Sequence, residues 1–313
     1  MKITILMPVY NGESTLNETL ASLTAQSKKI DELVIIDDGS DDNSIQRIKE
    51  FLDGRQKYIL IRNEKQQGLA AAYNTGIRKS SGDLIVTLHQ DVLLEKDSLE
   101  KLIAPFGDPK VVAATHVVSH PLSIWDKYNF WQKVFFARLA GKIFSGIDGK
   151  FDAFRRDSLE KAGMFDEKHF RTAGEDGDMV RKLEKIGRIA ETDAKIVHLH
   201  RIDPNFGWQD IVRKQAQYSE AMGALLARGR IRNPIQFAKS FFREILLAGL
   251  LVPYVWALSA TLIFFYSFFY TKLVFRREYK DKRILVLPFF NAGLLFVSFF
   301  YTFRGFVYGK QKI

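Results

Sequence analysis

Glu32-Leu33-Val34-Ile35-Ile36-Asp37-Asp38-Gly39-Ser40 decides the fold. An unbroken apolar run, rich in β-branched residues, leads straight into an acidic turn. A strand needs such a run when both faces of its sheet are covered, as in parallel α/β sheets. Asp-Gly-Ser then supplies turn chemistry. The pattern returns in Asp83-Leu84-Ile85-Val86-Thr87-Leu88, which runs into His89-Gln90-Asp91. Carboxylates just beyond such strands stand at the carboxyl edge of the sheet, where open α/β sheets bind ligands. A third acidic site, Glu175-Asp176, opens a helical pattern with Met179, Val180, Leu183 and Ile186 on one side and Gly187 as its stop.

Outward from these sites, strand and helix alternate. Residues 2–10 read as a first strand, ended by Pro8 and by the turn residues Asn11-Gly12. They are too short for the apolar region of a secretory leader and lack a small-residue cleavage site, so the soluble part is expected on the cytoplasmic side. Helices are predicted over 14–23, 43–52 and 68–79, and strands over 57–62, 84–88 and 110–118. That alternation predicts an α/β fold with a mostly parallel, doubly wound sheet. Residues 125–144, with Trp131, Phe135 and Phe136, read as a core helix in preference to an acceptor-binding or membrane-touching surface. A short strand near 151–154, helices over 156–162 and 175–186, a strand within 189–200 and a long mixed helix over 208–228 follow.

Charge is confined to one end. Residues 229–313 carry thirteen Lys and Arg against three Asp and Glu, which accounts for the whole net charge of +10. The same segment holds the long apolar blocks 245–271 and 284–303. Basic residues flanking apolar helices suit anionic membrane lipids and argue against nucleic acid as a partner. Both blocks exceed the roughly 18 apolar residues of a membrane-spanning segment. Lys and Arg lie on both sides of the first block, which conflicts with a simple span under the positive-inside rule; a hairpin bent at Pro253 keeps both ends on one side. The expected division is a catalytic domain over 1–205, juxtamembrane basic helices over 206–243 and a membrane domain over 244–313. The chain has no cysteine, which excludes disulfides and thiolate metal sites.

Five pieces in order carry a resemblance: Met7-Pro8-Val9-Tyr10-Asn11-Gly12, Val34-Ile35-Ile36-Asp37-Asp38-Gly39-Ser40, Asn63-Glu64-Lys65-Gln66-Gln67-Gly68-Leu69-Ala70-Ala71-Ala72-Tyr73-Asn74-Thr75-Gly76, Asp91, and Gly174-Glu175-Asp176-Gly177-Asp178. Over about residues 2–205 the chain resembles family-2 glycosyltransferases with the GT-A nucleotide-sugar-binding fold. The resemblance implies that Asp37 and Asp38 meet the base or ribose of a nucleotide-sugar donor; as turn and helix-cap residues they have an ordinary role too. It implies that Pro8, Tyr10 and Glu13 border the base and ribose, and that Gly68 and Asn74 stand near the diphosphate, with helix entry as the plain alternative for Gly68. Asp91 corresponds to the last carboxylate of an Asp-x-Asp signature that binds Mg²⁺ or Mn²⁺. Here His89 replaces the first Asp, and His89 and Gln90 are expected at the donor.

His198 and His200, two apart at a strand end, share a face, and one of them is expected to add a metal ligand. Asp176 is implied as the general base that takes the acceptor's proton, with Glu175 orienting the loop or binding acceptor. The plain alternative for acids in a first helical turn is dipole complementation, which fits Asp178 better. The implied activity is inverting transfer of a sugar to an acceptor hydroxyl on a glycan or lipid-linked acceptor. A polyprenyl-phosphate glycosyltransferase and a non-catalytic sugar-nucleotide-binding membrane protein are the alternatives. The absence of a Gln-x-x-Arg-Trp motif points to single additions.

Overall fold

The structure is a computed structural model that describes residues 1–171, 173–231 and 233–312. The chain forms two compact units, Met1–Pro121 with Gly141–Ile202, and Leu122–Ala140 with Asp203–Ile313.

The first unit is built on a nine-stranded sheet. Its strands are β1 (Ile3–Val9), β2 (Glu32–Asp37), β3 (Ile59–Arg62), β4 (Leu84–Thr87), β5 (Val92–Leu94), β6 (Val111–Ser119), β7 (Ile143–Gly146), β8 (Ala153–Arg155) and β9 (Arg188–His198). The order is β3-β2-β1-β4-β8-β6-β9-β5, with β7 paired to β6. Strands β3, β2, β1 and β4 run parallel, as does the pair β6–β9. Strands β8, β7 and β5 enter antiparallel. All seven residues of β1 are buried, as are the four of β4. The unbroken apolar runs therefore have the cause the sequence suggested: both faces are covered.

Period-two alternation sorts these strands between two cores. Ile3, Ile5, Met7, Val9, Leu33 and Ile35 face one layer, where Leu16, Leu20, Ile48 and Leu99 come from helices. Leu6, Val34 and Ile36 face the other, against Ala70, Tyr73, Ile77 and Met179. Each fully buried aliphatic side chain contributes about 1.5–3 kcal/mol relative to exposure. The parallel half places the ends of β1, β2 and β4 along one edge.

Two expectations change here. Residues 125–144 do not form one helix. Short helices Leu122–Trp125 and Phe130–Phe136 are followed by a turn at Gly141 (φ +73°), and the chain then enters β7. Gly141 N–H donates to the His120 carbonyl and His120 N–H to that of Lys142, so backbone pairing takes over from helix. The strand β5 follows Asp91 at once, a three-residue segment too short for a periodicity to reveal.

In the second unit the helices Trp208–Ala227 and Leu287–Tyr308 cross at backbone distance. A Cβ on Gly223 would lie 2.0 Å from the Thr302 carbonyl oxygen, and one on Gly305 would lie 2.0 Å from that of Glu220. Small residues permit such an approach. Glu220 is fully buried there and accepts from Arg304 Nε (2.6 Å) and Lys312 N (2.8 Å).

The apolar block 245–271 is not one helix: Phe242–Gly249 and Trp256–Phe269 are separated by a bend containing Pro253. Neither half reaches the roughly 20 residues of a span. Among the described residues one helical stretch, Lys282–Tyr308, is long and apolar enough to cross a membrane, its most apolar 18 residues having a mean hydropathy of 2.0. The two runs of spanning length expected from sequence thus reduce to one. Phe289, Phe296, Phe300 and Phe303 on this stretch are exposed.

Candidate active site

At the carboxyl ends of β1, β2 and β4 lies a cavity of about 240 Å³, lined by Pro8, Tyr10, Asp38, Gly68, His89, Gln90 and Asp91 together with Gln66, Leu69 and Arg171. Asp38 is almost wholly used in building the wall. Its Oδ1 accepts from Asn63 Nδ2 and Gln67 N, both at 2.9 Å, and its Oδ2 from Gly68 N at 2.8 Å. Three of about four acceptor positions on the carboxylate are therefore taken. Gly68 has φ +103°, and a Cβ there would meet the Arg171 carbonyl oxygen at 2.4 Å. Only glycine fits. Gln90 clamps Tyr10 from both sides, accepting from its N–H and donating to its carbonyl, each at 2.9 Å.

Three residues expected at the donor stand elsewhere. Asp37 is fully buried under the turn, accepting from Ser40 N and paired with Arg62 Nε at 3.4 Å. Glu13 binds Asn43 Nδ2 (3.0 Å) and faces Arg47 (3.7 Å), fixing the entry of the helix Ser44–Leu52. Asn74 is buried and its amide is consumed locally: Nδ2 donates to the Phe165 carbonyl and Glu167 Oε2, and Oδ1 accepts from Phe165 N. None of the three lines the cavity.

Pairing of β5 with β9 sets Val92 opposite His198 and brings Asp91 to the end of β9. His198 Nε2 is 3.1 Å from Asp91 Oδ2. The other nitrogen, Nδ1, is buried with no hydrogen-bond partner among the described residues. His200, with φ +52°, turns its ring onto that of His198, the centroids 3.6 Å apart. His120, just past β6, joins them with its Nδ1 3.2 Å from His200 Nε2. One ligand atom from each of His120, His198 and His200 lies within 4.8 Å of the others. Burial and mutual charge push His120 down to about 4 and His200 further still, so these two rings are neutral at neutral pH. Imidazole nitrogens beside a carboxylate fit a divalent transition metal, and the orphaned Nδ1 of His198 is the specific mark of that fit. His89, on the cavity wall, is likewise lowered to about 4 by burial, and its Nε2 is buried without a partner among the described residues.

Glu175 and Asp176 open the helix Glu175–Leu183 behind Gly174 (φ +92°). Glu175 is 5 % exposed, and its Oε2 has no partner among the described residues. Burial and the neighbouring Asp176 push its carboxyl up to about 8. Asp176 is also raised, chiefly by burial, although its Oδ1 accepts from Gly177 N at 2.6 Å. Asp178 pairs with Lys182 at 2.7 Å, an ordinary structural role.

Sequence reasoning missed the loop that connects the two acidic regions. Gly149 has φ +81°, its carbonyl accepts from Tyr73 OH at 2.9 Å, and a Cβ on it would lie 3.4 Å from both Tyr73 OH and His89 Nε2. The Lys150 carbonyl accepts from His89 N. Beneath the loop a buried charge network holds it. His116 Nδ1 is 3.0 Å from Asp152 Oδ1 and its Nε2 is 3.3 Å from Asp148 Oδ1; Asp152 Oδ2 accepts from the Asp148 and Gly149 N–H groups, and Lys150 pairs with Asp148. The alternation Asp148-x-Lys150-x-Asp152 and the lone His116 in an apolar strand were the available signals. Asp148, Lys150 and Asp152 act electrostatically on Asp176, and burial together with Glu175 and the other nearby carboxylates raises the Tyr73 hydroxyl.

The family described as glycosyl transferase family 2 matches residues 4–163. A Haemophilus influenzae protein named only as an uncharacterized glycosyltransferase is 43 % identical over 99 residues, 32 % of this chain and 40 % of that one. The poly-beta-1,6-N-acetyl-D-glucosamine synthase of Staphylococcus aureus is 29 % identical over 176 residues, 52 % of this chain and 42 % of the synthase. This chain therefore spans less than half the length of either relative. A mannosyltransferase from Pyrobaculum calidifontis, solved with GDP-Man and Mn²⁺, superposes with a TM-score of 0.60 at 18 % identity, covering 95 % of this chain and 85 % of that one. S. aureus TarS, solved with UDP, gives 0.51 at 15 % identity, covering 99 % and 92 %. At such identities the likeness is one of fold.

Proposed function

The chain belongs to glycosyl transferase family 2, and on that premise we propose that it transfers a sugar from a nucleoside-diphosphate donor to an acceptor hydroxyl by a single inverting displacement. The observation that carries this reading is the cavity at one sheet edge. It gathers Asp38, His89, Gln90 and Asp91, while Asp148, Lys150 and Asp152, on the loop bonded to His89 N, act electrostatically on Asp176.

Tyr10, held by Gln90, offers an exposed ring at the cavity for a nucleobase. Asp38 shapes the 63–68 loop so that backbone groups at Gly68 approach the donor closely. Asp91, His198 and His200 are placed to hold a divalent metal, which when bound supplies positive charge opposite a leaving diphosphate. Asp176 takes the acceptor's proton. Its raised carboxyl brings it nearer to neutral pH, where a general base works best. Glu175, protonated near neutral pH, lowers the charge density beside Asp176 and keeps that base in place. GDP-Man and UDP in the structural neighbours support a nucleotide donor, and the synthase relative supports an envelope glycan or lipid-linked acceptor.

The helix Lys282–Tyr308, with exposed phenylalanines and basic flanks, supports integral membrane attachment with the catalytic unit on the cytoplasmic side. Incubating the purified full-length protein with a panel of nucleotide sugars, Mn²⁺ and membrane-extracted acceptors tests the activity. Donor-dependent release of nucleoside diphosphate with sugar incorporation is the expected result. Tight nucleotide binding with neither transfer nor hydrolysis across the panel would refute it in favour of a binding protein.

A further inference from the structure

Three imidazoles share one buried corner of the catalytic unit. His120 and His198 are 7 % and 8 % exposed, and the His120 and His200 rings stack at 5.3 Å and 19°. They come from two strands that are neighbours only in the fold: β6 and β9 run parallel, with Ser119 opposite Val197. Burying polar rings together is costly unless their nitrogens are satisfied. Here Asp91 occupies His198 Nε2, which leaves Nδ1 as the lone-pair face of that ring with no partner among the described residues. A carboxylate on the far nitrogen is the arrangement that orients a metal-binding histidine. The 3.2 Å between His120 Nδ1 and His200 Nε2 is close to the ~3.4 Å separating two nitrogens that each lie about 2.1 Å from a tetrahedral ion. The neighbouring His116 instead faces two carboxylates, with Nδ1 3.0 Å from Asp152 Oδ1 and Nε2 3.3 Å from Asp148 Oδ1.

We infer that His120 is a metal ligand and that, with His198 and His200 and with Asp91 orienting His198 from its far nitrogen, it forms a nitrogen-rich site that retains one first-row transition metal ion without nucleotide and discriminates against Mg²⁺. The inference rests on the metal role proposed above and sharpens it. A site made of one carboxylate needs the donor's phosphates to complete it. Three imidazoles supply enough protein ligands to hold the ion alone, and imidazole favours later first-row ions such as Co²⁺, Ni²⁺ and Zn²⁺, holds Mn²⁺ more weakly, and suits Mg²⁺ least because that ion demands oxygen.

The test uses full-length protein in detergent, stripped of metal by chelation. Mn²⁺ alone is titrated in while the resonance of free Mn²⁺ is followed by electron paramagnetic resonance. Binding of about one ion per chain, without nucleotide and undisturbed by excess Mg²⁺, is expected. The variant His120→Gln keeps an amide able to bond His200 and should weaken that binding by roughly tenfold or more. Its fold is checked by thermal unfolding, and the wild-type arm does not depend on it. Mn²⁺ binding that appears only when UDP or GDP is added overturns the inference yet leaves the metal-dependent transferase reading standing. Unchanged Mn²⁺ affinity in folded His120→Gln overturns the role of His120. No binding under either condition overturns both.

Discussion

His198 Nε2 lies 3.1 Å from Asp91 Oδ2, although 107 residues separate the two in the chain. The pairing of β5 with β9 creates the approach, and its electrostatic result is large. Burial alone would raise the Asp91 carboxyl, but the charge and hydrogen bond of His198, with His89 and His200, hold it well below the usual carboxylate range. Asp91 is therefore ionised at any working pH. Asp91→Asn keeps the size and an acceptor for His198 while removing the charge. Nucleotide affinity in the presence of Mn²⁺ should fall about tenfold or more, the scale of losing a metal ligand or its close support, with metal-free nucleotide affinity unchanged. Calorimetric titration with UDP and GDP checks this, and equal Mn²⁺-dependent affinity in a folded variant removes Asp91 from the metal site.

Much of this site was legible because its residues sit where local sequence announces them. Val34–Ile36 and Leu84–Leu88 declare buried parallel strands, and the acids that follow must then reach the sheet edge. The family resemblance adds Pro8, Tyr10 and Gly68, and these line one cavity with Asp38 and Asp91. What could not be read is what long-range pairing assembles. His116, His120 and the Asp148–Asp152 loop meet the site only because β6 pairs with β7, β8 and β9. Asn74 and Glu13 lie in the right stretches of chain, but neighbours unseen in the sequence capture their side chains. Residues 125–144 misled for a related reason: an aromatic stripe looks the same whether it packs on the sheet or with the C-terminal helices, and Trp131 packs against Phe290.

The crossing of Trp208–Ala227 over Leu287–Tyr308 sets a limit on residue size. Gly223→Ala would drive a methyl into the Thr302 carbonyl, a contact of 2.0 Å before relaxation. Overpacking of this kind costs about 1–3 kcal/mol, or more where both partners are backbone. The thermal midpoint in detergent should drop by several degrees, with the nucleotide affinity of the first unit unaffected. Gly293→Ala, where a Cβ meets nothing within 4 Å, is the control and should be neutral or slightly stabilising.

Glu175 makes stability depend on pH in a definite direction. Its carboxyl is raised from 4.5 to about 8 by burial and by Asp176. The folded state therefore binds this proton more tightly than the unfolded chain does. That contribution is fully present below about pH 4.5 and is lost progressively as pH rises through 8. Glu175→Gln carries no charge at any pH, so it should raise the thermal midpoint increasingly from about pH 4.5 to about pH 8, level off above that, and leave it unchanged below about pH 4.5. A parallel shift of wild type and variant across this range would show that Glu175 titrates as an ordinary surface acid.

Asp176→Asn separates binding from chemistry. Asparagine keeps the shape and the acceptor that bonds Gly177 N, but it cannot take a proton from an acceptor hydroxyl near neutral pH. The cavity proposed for the donor is lined by Asp38, His89 and Asp91, none of them on the helix that carries Asp176, so donor affinity should survive. Transfer should fall by roughly a hundredfold or more, the usual scale for a lost general base. Its pH profile should also lose the limb that Asp176 imposes, an effect that a purely structural role would not produce. Glu175→Gln, by contrast, should retain most of the transfer rate while altering its pH dependence. If Asp176→Asn transfers sugar at nearly the wild-type rate with a verified acceptor, the base lies elsewhere. An acceptor that needs no base, such as a phosphate, then becomes the better reading of the site.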